Sequence, residues 1–165
     1  MLIFAYASLL DPALVRERCP GHREIGLASL ADHRIQFPRY SERWGGGGAS
    51  LGLSHGHDAW GYVYDVSDDE VPALDRAEGW YGPGDPRNGY ERQTVTVDLA
   101  RPDDGSVPRR LRALAYLARP TEPVTPSARY LETILRGARA RRLPEEYVAE
   151  LAAIVVAPSE TPPAE

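Results

Sequence analysis

The chain of 165 residues has a single cysteine, Cys19, so no internal disulfide can form and no oxidising compartment is implied. A lone cysteine near a helix end reads as a small buried apolar residue rather than a nucleophile. No apolar run approaches the roughly 20 residues that a membrane-spanning helix requires. The apolar opening, residues 1–10, lacks a basic leader and runs into Asp11-Pro12 instead of a small-residue cleavage site. It is not read as a secretory signal, and the expected location is the cytoplasm. Basic charge is not in excess either: the net charge is −5 and the pI is near 5.4. A protein that neutralises many phosphates presents a basic surface, so neither nucleic acid nor membrane is an expected partner.

Several signatures of ready-made chemistry are missing as well. The glycine run 45–48 is not followed by Gly-Lys-Ser/Thr or by a helix start, so it reads as a flexible or closely approaching loop, not a phosphate cradle. His55-Gly56-His57 offers two imidazoles, but third and fourth ligands are lacking, and the flanking glycines and Asp58 suggest a turn. Exposed loop histidines are expected there, and no metal. No Gly-x-Ser-x-Gly elbow supports Ser8 as a hydrolase nucleophile. Arg136, Arg139, Arg141 and Arg142 crowd the end of a helix, where cations suit the dipole, and read as a solvated terminus. There are no internal repeats and no regular alternation of strand and helix, which argues against a doubly wound sheet.

What is present fits one globular domain. Hydrophobic residues make up 42% and charged residues 26% of the chain, with 15 Pro and 15 Gly to build turns. A single domain is expected over 1–157, with a Pro/Glu-rich and disordered tail over 158–165. Residues 2–6 read as a buried strand ending in the small-residue loop Ala7-Ser8. Asp11-Pro12 caps and opens a helix to about Arg18. Strand patterns follow at 23–30, 33–37, 49–53 and 59–66. Ser67-Asp68-Asp69-Glu70 has the form of a capping box opening a helix with Val71, Leu74 and Ala77 on one face, and Gly79 is placed to end it. Alternation marks strands at 90–99 and 111–117, with Asp103-Asp104-Gly105 as turn chemistry between them. Helices are expected at 130–140, opened by Thr125-Pro126-Ser127, and at 145–154 after Pro144. The order implies an α+β fold: a mixed or antiparallel barrel-like sheet with helices packed outside.

Glu78 stands out. It closes a helix, where a carboxylate faces the negative pole of the dipole, and Trp80 and Tyr81 follow it. Both features push a carboxyl pKa upward, toward the range that suits proton transfer near neutral pH. A solvated glutamate at a helix end has the same sequence appearance, and the residue alone does not decide between them.

Longer motifs do. Phe4-Ala5-Tyr6-Ala7-Ser8-Leu9-Leu10 resembles the Phe-Ala-Tyr-Gly-Ser-Asn-Leu opening of the γ-glutamylcyclotransferases, the AIG2-like superfamily. Leu74-Asp75-Arg76-Ala77-Glu78-Gly79 is similar to that family's Leu-Asp-x-x-Glu-Gly. Trp44 with Gly46-Gly47-Gly48-Ala49, Trp60-Gly61-Tyr62-Val63-Tyr64, Tyr116-Leu117 and Leu143-Pro144-Glu145-Glu146-Tyr147 keep the same order, so the likeness runs from about Phe4 to Leu151. The resemblance implies release of 5-oxoproline from a γ-glutamyl amino acid, amine or peptide by intramolecular aminolysis. It also implies Glu78 as the general acid–base, with Tyr6, Ala7, Ser8, Leu9 and Tyr116 around the substrate, and Tyr130 as a further pocket-lining tyrosine. The substrate's own α-amino group is the nucleophile, so no metal and no cofactor is expected; a homodimer stays open. Ala7 stands where the family usually has glycine, and Leu9 where one branch has asparagine, although related branches carry leucine. A methyl at Ala7 is expected to restrict the loop if positive φ is needed there. Retention of Glu78 favours the enzyme; Ala7 and Leu9 leave open a diverged, non-catalytic small-molecule-binding protein of the same fold.

Overall fold

The computed structural model describes residues 1–100 and 109–158. The expected turn at Asp103-Asp104-Gly105 and nearly all of the expected tail lie outside them. Strands β1 (Leu2–Ala5), β2 (Arg23–Ser41), β3 (Gly46–Asp65), β4 (Tyr90–Leu99) and β5 (Arg110–Ala118) close into a barrel in the order β1-β3-β2-β4-β5. The pairings are antiparallel except β1 with β5, which run parallel through Ile3 and Leu114. The sheet is therefore mixed and closed, as the order of elements predicts. Helices α1 (Pro12–Arg18), α2 (Val71–Ala77), α3 (Ala128–Ala140) and α4 (Glu145–Ala152) accompany it, and Ser8–Leu10 forms a single 3-10 turn.

Where four strands are expected between residues 23 and 66, β2 and β3 form one long bent hairpin. The expected turn around His55 is a bulge within β3: Ala31 pairs with Asp58 and His33 with Leu53, so Asp32 alone spans residues 54–57. Asp32 at φ 57° and Gly56 at φ 79° absorb the distortion. His55 and His57 are exposed there.

The core follows from the alternation of each strand. Phe4, Tyr6, Leu10, Val63, Leu99, Ile134 and Leu151 are buried in one cluster; burying such a side chain fully contributes about 1.5–3 kcal/mol. A smaller cluster of Ile3, Leu9, Val15, Cys19, Tyr64, Val71, Leu74 and Tyr116 lies between the barrel and helices α1 and α2. Asp11 caps α1 through a bond from the Ala13 amide at 3.0 Å, and Ser127 caps α3 through one from the Tyr130 amide at 3.2 Å. Helix α3 lies directly against the 3-10 turn. A Cβ on Gly137 would fall 2.5 Å from the Asp11 amide nitrogen, so only glycine allows that approach.

Three local expectations are corrected. Glu70 does not complete a capping box: its carboxylate accepts from the Ser67 hydroxyl at 2.9 Å and from the Gly21 amide at 2.7 Å. It ties the loop after α1 to the start of α2 instead of turning back on the Ser67 amide. On α2 the buried residues are Val71, Leu74 and Asp75, while Ala77 is exposed. Arg141 is not solvated; its side chain is 8% exposed, bonds Glu24 at 2.6 Å and lies over the Tyr62 ring.

Candidate active site

One end of the barrel opens into a cavity of about 450 Å³, lined by the end of β1 and the 3-10 turn, the β2–β3 connection, the end of α2, and Tyr90, Tyr116 and Tyr130. That volume suits a small molecule. Tyr6, Ala7, Ser8, Leu9, Glu78 and Tyr116, widely separated in sequence, all line it.

Glu78 occupies the C-cap of α2 at φ −89°, its amide bonded to the Leu74 carbonyl at 2.9 Å. Gly79 at φ 77° then turns the chain in the left-handed conformation expected of it. The Glu78 side chain is 17% exposed, and its Oε1 accepts from an Nη of Arg18, itself 8% exposed. Burial pushes the Glu78 carboxyl above the usual glutamate range, while Arg18 and Arg43 pull the other way. The apolar surroundings are not those the sequence suggests. Tyr81 lines the cavity but Trp80 does not; its ring carries the Arg92 guanidinium at 3.8 Å.

Ala7 has φ −134°, so its methyl group meets no demand for positive φ. The backbone here runs into the 3-10 turn, closed by bonds from the Leu10 amide to Ala7 O at 2.9 Å and from the Asp11 amide to Ser8 O at 3.0 Å. The amides that begin such a turn have no partner within it and are donors by geometry.

Tyr6 and Tyr116 wall the site with hydroxyls already engaged. Tyr6 donates to the Tyr116 carbonyl, and the Tyr116 hydroxyl donates to Asp75 Oδ1 at 2.8 Å. Tyr130 is stacked on Trp44 with centroids 4.5 Å apart. Burial raises the Tyr6, Tyr116 and Tyr130 pKa values and pushes Tyr90 up to about 12, so all four rings stay neutral phenols at ordinary pH. Arg39 donates to the Gly89 and Arg119 carbonyls, each at 3.0 Å, and fixes the rim of the cavity.

Arg18, Arg43 and Asp75 were not singled out by sequence reasoning. Arg18 sits in the last turn of α1, sixty residues from Glu78, and only the packing of α1 beside α2 brings them together.

The open end of a closed barrel thus brings a partly buried carboxylate, backbone donors and neutral phenols around one small-molecule-sized cavity. Comparison with known proteins carries this further. Residues 58–151 match the AIG2-like family. A Bos taurus gamma-glutamylcyclotransferase is 30% identical over 158 residues, covering 93% of this chain and 78% of that protein. The Mus musculus gamma-glutamylcyclotransferase is 29% identical over 157 residues with the same coverage. A solved structure named gamma-glutamyl cyclotransferase superposes with a TM-score of 0.85 at 27% identity, covering 100% of this chain and 94% of its own. The chain belongs to the AIG2-like family, within the γ-glutamylcyclotransferase-like superfamily.

Proposed function

We propose that the protein is a γ-glutamylcyclotransferase that releases 5-oxoproline from a small γ-glutamyl substrate, with Glu78 as general acid–base. The observation that carries this reading is the placement of Glu78, partly buried, in the same cavity as the 3-10 turn that follows β1.

The chemistry needs little else. Holding the substrate folded brings its α-amino nitrogen onto its own γ-carbonyl, and a five-membered ring closes with high effective molarity. Glu78 takes one proton from the α-ammonium, and the freed amine attacks the γ-carbonyl carbon. The resulting oxyanion is met by the amides of Ala7, Ser8 and Leu9. As the carbonyl reforms, the bond to the leaving nitrogen breaks and Glu78 returns its proton to that nitrogen. The ring nitrogen gives its surplus proton to Glu78, which passes it to the departing amine or to water. A carboxyl pKa raised by burial suits both halves of this exchange. Tyr6 and Tyr116, with their hydroxyls bonded to the protein, serve as shaped walls that hold the substrate folded.

In this reading the protein works in the cytoplasm on a γ-glutamyl amino acid, amine or peptide. Among the described residues no helix is long and apolar enough to cross a membrane. The test is a panel of γ-glutamyl compounds assayed for 5-oxoproline. Release from at least one is expected; binding without product across the panel would favour a non-catalytic binding protein.

A further inference from the structure

The ion pair between Arg18 and Glu78 poses a chemical problem. A carboxylate held by a guanidinium is a weakened base, because the pair stabilises its charged form. Yet Arg18 lines the same cavity, so an incoming substrate meets both charges at once. The α-carbon of a γ-glutamyl compound carries an ammonium and a carboxylate side by side. It presents the same two charges as the Arg18–Glu78 pair, with signs opposed.

A second cation strengthens the match. Arg43 also lines the cavity; its guanidinium rests 5.4 Å from the centroid of the Trp44 ring, and its pKa is pushed down by burial and then by Arg18. Arg18 and Arg43 both act on the Glu78 carboxylate, and with Arg39, Arg76 and Arg87 also lining the cavity against Glu42 and Glu78, the site carries a surplus of positive charge. The groups facing Glu78 from the other elements are phenols: Tyr6 at the end of β1, Tyr90 of β4, Tyr116 of β5 and Tyr130 of α3, with the Cys19 thiol beyond α1. All of these are neutral at ordinary pH. All 19 basic residues of the chain are arginine, whose planar fork fits a carboxylate in two-point contact.

We infer that Arg18 is the receptor for the glutamyl α-carboxylate. On binding, the substrate exchanges one ion pair for two: its carboxylate takes the Arg18 fork, and its ammonium takes Glu78. Glu78 is thereby released from Arg18 and placed against the proton it removes. The amides of the 3-10 turn are left free for the oxyanion. This assignment rests on the cyclotransferase reading.

The experiment compares γ-glutamyl-alanine with 4-aminobutyryl-alanine, which lacks only the α-carboxylate, and measures alanine release. The wild type should prefer the former in kcat/KM by about ten- to hundredfold beyond the intrinsic difference, the scale of a charged hydrogen bond. In Arg18→Gln the preference should collapse toward that intrinsic ratio, and in Arg18→Lys it should fall between, with circular dichroism confirming the fold of each. The change in ratio between enzymes cancels the intrinsic reactivity of the two compounds. A purely structural role would depress both substrates alike. The acid limb of the Arg18→Gln profile should also move to higher pH, because the stronger of the two cations that lower the Glu78 pKa is gone. An undiminished preference in Arg18→Gln and Arg18→Lys would overturn the assignment while leaving the cyclotransferase standing. Failure of the wild type to form 5-oxoproline from any γ-glutamyl compound would remove both.

Discussion

The Tyr116 hydroxyl donates to the buried carboxylate of Asp75 at 2.8 Å, joining the strand behind the cavity to the helix that carries Glu78. Asp75 also faces Arg92 at 3.4 Å, and Tyr116 in turn receives the Tyr6 hydroxyl on its carbonyl. Two walls of the site, β5 and α2, thus meet at one carboxylate that need not touch substrate.

Asp75→Ala should therefore cost both stability and turnover. Leaving the Tyr116 hydroxyl without a partner in a buried position costs about 1–3 kcal/mol. Asp75→Asn, which keeps an acceptor, should lose less. Urea unfolding midpoints checked alongside 5-oxoproline rates would show the order wild type, Asn, Ala in both.

The glycine run separates two kinds of constraint. A Cβ on Gly47 would lie 1.9 Å from the Val124 carbonyl oxygen, so Gly47→Ala forces backbone apart and should destabilise by about 1–3 kcal/mol or more. Gly45 has φ 64° and nothing within 4 Å of its Cβ position. Gly45→Asn should be nearly neutral, since asparagine tolerates that conformation, whereas Gly45→Ala should cost on the order of 1–2 kcal/mol for the left-handed backbone. Thermal unfolding of the three variants distinguishes steric from conformational cost.

How much of this was legible in the sequence depended on whether the signal was local. The Asp11 cap, the left-handed Gly79 and the alternation of β4 and β5 are each set by residues within a few positions, and they are where the pattern puts them. Glu70 was misread because a box motif cannot show that the Gly21 amide, from another loop, competes for the same carboxylate. Asp75 was overlooked because a charged residue on an otherwise apolar helix face looks exposed until Tyr116 and Arg92 are placed against it. The same holds for Arg141, whose burial rests on Glu24 and the Tyr62 and Tyr64 rings, far away in the chain. At the candidate site, the resemblance located Glu78 and the loop after β1. It carried no trace of Arg18, which enters only through the packing of α1 beside α2.

The raised pKa of Glu78 has consequences for pH. As a base Glu78 must be ionised, so the acid limb of kcat/KM should lie above the pH at which an ordinary glutamate titrates. Stability has the corresponding sign. Between the unfolded and the higher folded pKa, the native state binds more protons than the unfolded one, so unfolding free energy falls as pH rises through that interval. In Glu78→Gln this contribution to the slope should vanish, leaving that of carboxylates such as Asp65 and Asp98, whose pKa values are lowered by arginine partners. Urea titrations of both proteins across the acid range check it; a parallel pH dependence in the two would place the titrating group elsewhere.

Glu78→Gln is also the most direct test of the central claim. The amide keeps the size of the side chain and a carbonyl acceptor for Arg18, but it cannot carry protons. With a γ-glutamyl substrate that the wild type cleaves, 5-oxoproline formation should fall by roughly a hundred- to ten-thousandfold while the variant still folds and binds substrate. Equal rates of 5-oxoproline formation in wild type and Glu78→Gln would contradict the account.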